Sequence, residues 1–86
     1  MPGYTITFAR SARKELQSLP SDVAERLLRK IESLIINARP AVSKKLSGST
    51  DLWRVRVGDY RVVYKIDDNR FKVDVVVVRH RREVYR

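Results

Sequence analysis

Three arginines, Arg54, Arg56 and Arg61, occupy alternating positions on either side of a Gly58-Asp59 pair, and the C-terminus gathers His80, Arg81, Arg82 and Tyr85. Together these residue types can do one kind of chemistry without a metal. RNA carries its own nucleophile, the 2′-hydroxyl. A protein that cleaves it must align that oxygen with the phosphate, stabilise the added negative charge and move protons on and off oxygen. Arg54, Arg56 and Arg61 are suited to positioning and stabilising the phosphate, and Arg81 can approach the same place from the tail. His80, a residue type that titrates near about 6.5 when unperturbed, can shuttle protons or stand by at a strand end. Tyr85 can stack on a base, donate a proton or cap the core.

The element that must position the first three is the stretch Leu52-Trp-Arg-Val-Arg-Val-Gly-Asp-Tyr-Arg-Val-Val-Tyr-Lys-Ile66. Two alternating apolar runs around Gly-Asp predict a two-residue β-hairpin, because Gly and Asp tolerate the positive φ such turns need. In that register Val57 faces Tyr60, Arg56 faces Arg61, Val55 faces Val62 and Trp53 faces Tyr64. Alternation then puts Trp53, Val55, Val57, Tyr60, Val62, Tyr64 and Ile66 on a core face, and Leu52, Arg54, Arg56, Arg61, Val63 and Lys65 on the other. Like charges directly opposite one another destabilise a sheet. Neighbouring acids, solvation of the arginine stems or an anionic ligand can compensate.

Composition narrows the choice. Eighty-six residues predict a single domain, 1–86, with one modest core. Cysteine is absent and there is one histidine, so no disulfide frame, thiolate nucleophile, metal site or other cofactor is expected. No apolar run reaches spanning length and the N-terminus lacks a secretory pattern, which predicts a cytoplasmic protein with no membrane role. Net charge is +9, and thirteen of the nineteen basic residues are arginine. The excess lies in residues 39–86, with thirteen basic against six acidic side chains. That asymmetry points to a polyanion: nucleic acid, an acidic protein, or both. Arginine's planar fork suits bidentate phosphate contacts.

Along the chain, Tyr4-Thr-Ile-Thr-Phe8 reads as a strand. Ala9, Ala12, Leu16 and Leu19 recur at helical spacing up to Pro20. A second helix is predicted from Ser21-Asp22 to near Ala38, with an inward stripe through Leu27, Ile31 and Leu34 and solvated Arg26, Arg29 and Lys30 outside. Residues 39–51 read as a loop in which Lys44 and Lys45 are either phosphate contacts or ordinary solubilising charge. After the hairpin, Asp67-Asp-Asn-Arg70 predicts a turn. A last strand, Phe71 to Val78, would put Phe71, Val73, Val75 and Val77 in the core, with Lys72, Asp74, Val76 and Val78 on the arginine face. The expected fold is therefore α+β in the order β-α-α-β-β-β. A helical hairpin packs on one face of a four-stranded antiparallel sheet of order 1-4-3-2, and a short C-terminal tail or helical turn covers the exposed valines.

Leu46-x-Gly48, the hairpin with its Gly-Asp-Tyr-Arg, and Val78-Arg-His-Arg-Arg-Glu-Val-Tyr85 in combination resemble the RelE family of bacterial and archaeal toxins, within the wider RelE/ParE superfamily. The upstream strand and helix pair fit as well, so the resemblance covers nearly the whole chain. It implies the toxin of a type II toxin–antitoxin system: a metal-independent endoribonuclease that enters the ribosomal A site and cuts messenger RNA by 2′-oxygen attack. It also implies an acidic RelB-like antitoxin as partner, and DNA contact only through the toxin–antitoxin complex. A ParE-like inhibitor of DNA gyrase and an inactive nucleic-acid-binding relative share the fold. Carried over by residue, the family's two basic strand positions fall on Arg54 and Arg56, where the type member has lysines. A guanidinium titrates above about 12 and is a poor proton acceptor, so Arg54 and Arg56 become electrostatic stabilisers. The arginine of Gly-x-Tyr-Arg falls on Arg61, the tail arginine and tyrosine on Arg81 and Tyr85, and His80 sits where some relatives place an acid/base group. Glu83 is a displaced candidate for the proton acceptor.

Overall fold

The computed structural model describes residues 3–46, 48 and 51–80. Strand β1 (Thr5–Phe8) is followed by helices α1 (Arg10–Ser18) and α2 (Ser21–Ser33), a short strand β2 (Lys44–Lys45), then β3 (Leu52–Val57), β4 (Tyr60–Asp67) and β5 (Lys72–His80). Leu19 is extended, as the residue before a proline must be, and it separates the two helices. Asp22 in the first turn of α2 and Lys30 in its last complement the helix dipole. Leu27, Ile31 and Leu34 recur on one face and are wholly buried. They meet Val55, Val62, Tyr64, Ile66, Val73, Val75 and Val78 from the sheet, and each buried aliphatic side chain contributes about 1.5–3 kcal/mol. The buried Tyr64 hydroxyl donates to the Ala38 carbonyl at 2.9 Å, so the largest core residue leaves no polar atom unanswered.

The sheet differs from the expected one. It has five strands in the order β1-β5-β4-β3-β2, and β1 runs parallel to β5. The expected neighbours are kept, but the direction of β1 and the extra strand were not foreseen. A parallel neighbour requires a long crossover, and the helical pair together with β2 to β4 supplies it. Strand β2 is only Lys44–Lys45, paired with Arg54 and Trp53 in what reads as polar loop. Helix α2 ends at Ser33, short of Ala38, and the chain continues through Leu34 and Ile35 in turns.

The hairpin register is the expected one at every pair from Trp53↔Tyr64 to Val57↔Tyr60. Only Gly58 of the turn pair takes a positive φ, 59°, the pattern of a type II′ turn with glycine first.

Strand β5 corrects the parity of the last strand. Val63 pairs with Val77 but Tyr64 pairs with Val75, so Val76 is an extra residue without a counterpart, a β-bulge. Beyond it the faces exchange. Val78 is core, 2% exposed, and Val77 lies opposite Val63 on the outer face, the reverse of the expectation. Phe71 is not core either. It stands at φ 51° in the turn, half exposed, with its ring 5.8 Å from that of Tyr4. The C-terminal tail or helical turn expected after β5 lies outside the described residues.

Candidate nucleic-acid interface

Directly paired residues of neighbouring strands project from the same face of a sheet. On the face away from the helices, Arg56 of β3 pairs with Arg61 of β4, and Arg61 pairs with Arg79 of β5. The next row holds Lys44 opposite Arg54, then Val63 and Val77. Five cationic side chains thus occupy two adjacent rows across four strands, a patch about 14 Å wide at the usual strand spacing. Among the described residues no acidic side chain belongs to those two rows. Arg61 is the anchored member: its Nε is buried, whereas Arg56 and Arg79 are exposed.

The arrangement brings together Arg54, Arg56 and Arg61, as the hairpin predicts, and adds Lys44 and Arg79. Lys45 pairs with Trp53 and so belongs to the opposite side of the edge strand. His80 does not join the arginines. The bulge turns it to the helix side, where its ring meets Tyr60 edge-on at 5.2 Å and lines a hollow with Val23, Arg26, Leu27 and Gly58. Arg79 takes the place that strict alternation would have given its neighbour. Nothing short of the bulge marks that exchange, because Val75 to Val78 are apolar throughout. Arg81 and Tyr85, with Arg82 and Glu83, lie outside the described residues.

The end of the sheet remote from the arginine rows is pinned by a polar clamp. Arg39 donates to both oxygens of Asp68, at 3.2 and 2.8 Å, and the Tyr4 hydroxyl donates to Asp68 Oδ1 at 2.6 Å. The Arg39 guanidinium also lies 5.2 Å from the centre of the Trp53 ring, a cation–π distance. These contacts hold the Asp68 carboxyl at about 2, with Arg39 the first cause and Tyr4 the second, and they raise the Tyr4 phenol. The clamp joins the start of β1, the segment after α2, β3 and the β4–β5 turn. It keeps the sheet face in one shape without taking part in it.

Among the described residues, no three His, Cys, Asp or Glu side chains gather as a metal site would require. Among the described residues, no helix is long and apolar enough to cross a membrane.

A sheet backed by two helices, with guanidinium groups ranked across the face away from them, defines the class: a small α+β domain with a cationic sheet face. Comparison with known proteins narrows the class to a family. The family model described as the ParE toxin of the type II toxin–antitoxin system parDE matches residues 6–85. The toxin RelE of Mycobacterium tuberculosis is 31% identical over 84 residues, covering 96% of this chain and 87% of that protein. The mRNA interferase toxin RelE of Escherichia coli is 34% identical over 86 residues, covering 95% and 90%. Among solved structures, the archaeal RelE–RelB complex from Pyrococcus horikoshii superposes with a TM-score of 0.82 at 30% identity, covering 92% of this chain and 96% of that one. The intact E. coli RelBE toxin–antitoxin complex gives 0.78 at 31%, covering 87% and 93%. The chain belongs to the RelE/ParE toxins of type II toxin–antitoxin systems and, within them, to the RelE family. The gyrase-directed alternative is not favoured, since these relatives and structures are RelE toxins.

Proposed function

We propose that this toxin is an endoribonuclease that cuts messenger RNA in the ribosomal A site. The observation that carries the reading is the register that ranks Arg56, Arg61 and Arg79 across three adjacent strands. A phosphodiester laid on that row meets guanidinium forks on either side of its non-bridging oxygens. As the 2′-oxygen bonds to phosphorus the phosphate gains negative charge, and preorganised cations lower the barrier most where charge develops. The bond from phosphorus to the 5′-oxygen then breaks, leaving a 2′,3′-cyclic phosphate and a 5′-hydroxyl. Arg54 and Lys44 hold the neighbouring phosphate. The guanidinium groups do not take the 2′ proton, because they stay charged. Proton transfer falls to the terminal segment, where Glu83 can accept and Tyr85 can donate or stack on a base, with Arg81 adding charge. No metal enters the scheme. The relative named an mRNA interferase supports the reaction class. The solved complexes of relatives with RelB support an antitoxin as partner; in this reading the antitoxin is acidic and DNA is reached only through the complex. The site of action is the cytoplasm, where ribosomes carry the substrate.

Purified ribosomes translating a defined message, with 5′ ends mapped by primer extension, test this. Cuts at A-site codons are expected, lost in Arg61→Ala and kept in Arg26→Ala, which lies on the helix side. An intact message together with blocked gyrase supercoiling would overturn the proposal.

A further inference from the structure

Below the arginine rows, the same sheet face opens into a depression of about 270 Å³ lined by Thr7, Lys65, Asp67, Arg70, Lys72 and Asp74. Lys65 is four residues beyond Arg61 on β4, about 13 Å along the strand. A strand of nucleic acid held at Arg61 and followed down the sheet reaches this depression next.

Its acids are not equivalent. Asp67 is committed to the turn: its Oδ1 accepts from the backbone N–H groups of Asn69 and Arg70 at 3.1 and 3.2 Å. Asp74 is committed differently. Its Oδ1 accepts from the Thr7 hydroxyl at 2.8 Å, which fixes the carboxylate's orientation. Lys65 is its direct cross-strand partner, yet the nearest ion pair of Lys65 is with Asp51 at 3.7 Å. A carboxylate present only to neutralise the face would pair with the lysine beside it. This one is half buried, oriented by a neighbour, and lines a hollow together with Lys65, Arg70 and Lys72.

We propose that this depression is a base-recognition subsite of the toxin: Lys65, Arg70 and Lys72 hold the backbone of a nucleotide neighbouring the scissile phosphate, and Asp74, set by Thr7, accepts a hydrogen bond from an exocyclic amino group on its base. A carboxylate offers only acceptors. It therefore favours cytosine, adenine or guanine and disfavours uracil, whose Watson–Crick edge presents two carbonyl oxygens beside its one N–H. An acidic peptide would bring another carboxylate to Asp74 and is the poorer occupant. The subsite deepens the endonuclease reading and rests on it for its biological use.

Binding of labelled A6, C6 and U6 oligoribonucleotides to the full chain, followed by fluorescence anisotropy, tests the subsite without requiring cleavage. A6 and C6 are expected to bind about five- to tenfold more tightly than U6. Asp74→Asn, whose amide can both donate and accept, is expected to bring the three within about twofold. Thr7→Val keeps the carboxylate but frees its orientation, and is expected to narrow the gap; thermal melts confirm that both variants fold. On ribosomes, Asp74→Asn should change the base preference at one fixed position relative to the cut. Equal binding of U6 by the wild-type toxin would overturn the subsite. So would an Asp74→Asn toxin that binds every oligomer more tightly in the wild-type order, which would mark Asp74 as plain charge. Absence of cleavage on ribosomes by the wild-type protein would instead sink the endonuclease reading, while the oligomer comparison would still decide the subsite.

Discussion

Arg61 stands between two other arginines with its Nε buried, and that position asks for more than a positive charge. A lysine there would keep the charge but lose the planar fork that meets two phosphate oxygens at once. Arg61→Lys is therefore expected to slow ribosomal cleavage by about tenfold and Arg61→Ala by about a hundredfold, the scale of removing one preorganised donor. Equal rates for the two variants would mean that charge alone matters. His80 makes the opposite case. It lies against Tyr60 on the helix side, so His80→Gln should cut within about twofold of the wild type. At this scale the alternation around Gly58 made Arg54, Arg56 and Arg61 legible as neighbours. Arg79 was hidden, because a run of four valines carries no polar residue to show which side is which.

Among the elements, the helices and the central hairpin were readable because their periodicities, 3.6 and 2, are local properties of the chain. The bulge at Val76, the direction of β1 and the two-residue β2 depend on pairing across long sequence separations, and no local pattern encodes them. The clamp of Arg39, Tyr4 and Asp68 belongs to this scale, since it fastens the β4–β5 turn to β1 and to the segment after α2. The Asp68 carboxyl is held at about 2 in the folded protein, below its unfolded value near about 3.9. A lowered folded-state value stabilises fully above the unfolded one and is lost as pH falls through the folded one. Urea midpoints of the wild type should therefore fall from pH 4 to pH 2 more steeply than those of Asp68→Asn. Parallel pH profiles for the two proteins would show that the clamp adds nothing to stability.

At the scale of the molecule, a net charge of +9 is divided unevenly between two layers. The helices carry mixed charge on their outer side, while the open sheet face gathers Lys44, Arg54, Arg56, Arg61 and Arg79 with no acid in their rows among the described residues. Binding of single-stranded RNA should weaken steeply with salt, and Arg54→Ala should reduce the slope of log K against log salt by about one. A slope unchanged in that variant would remove Arg54 from the contact. The charge asymmetry was visible in the sequence. Its concentration on one face was visible only as far as the hairpin reached.

The most direct measurement is a double-mutant cycle at Arg61 and Arg79, read as the rate of A-site cleavage on purified ribosomes. If the two guanidinium groups grip one phosphate, each alanine variant should lose about a hundredfold, and the double variant should lose much less than the product of the two. An Arg79→Ala toxin that cuts like the wild type, or losses that simply multiply, would contradict a shared cationic centre.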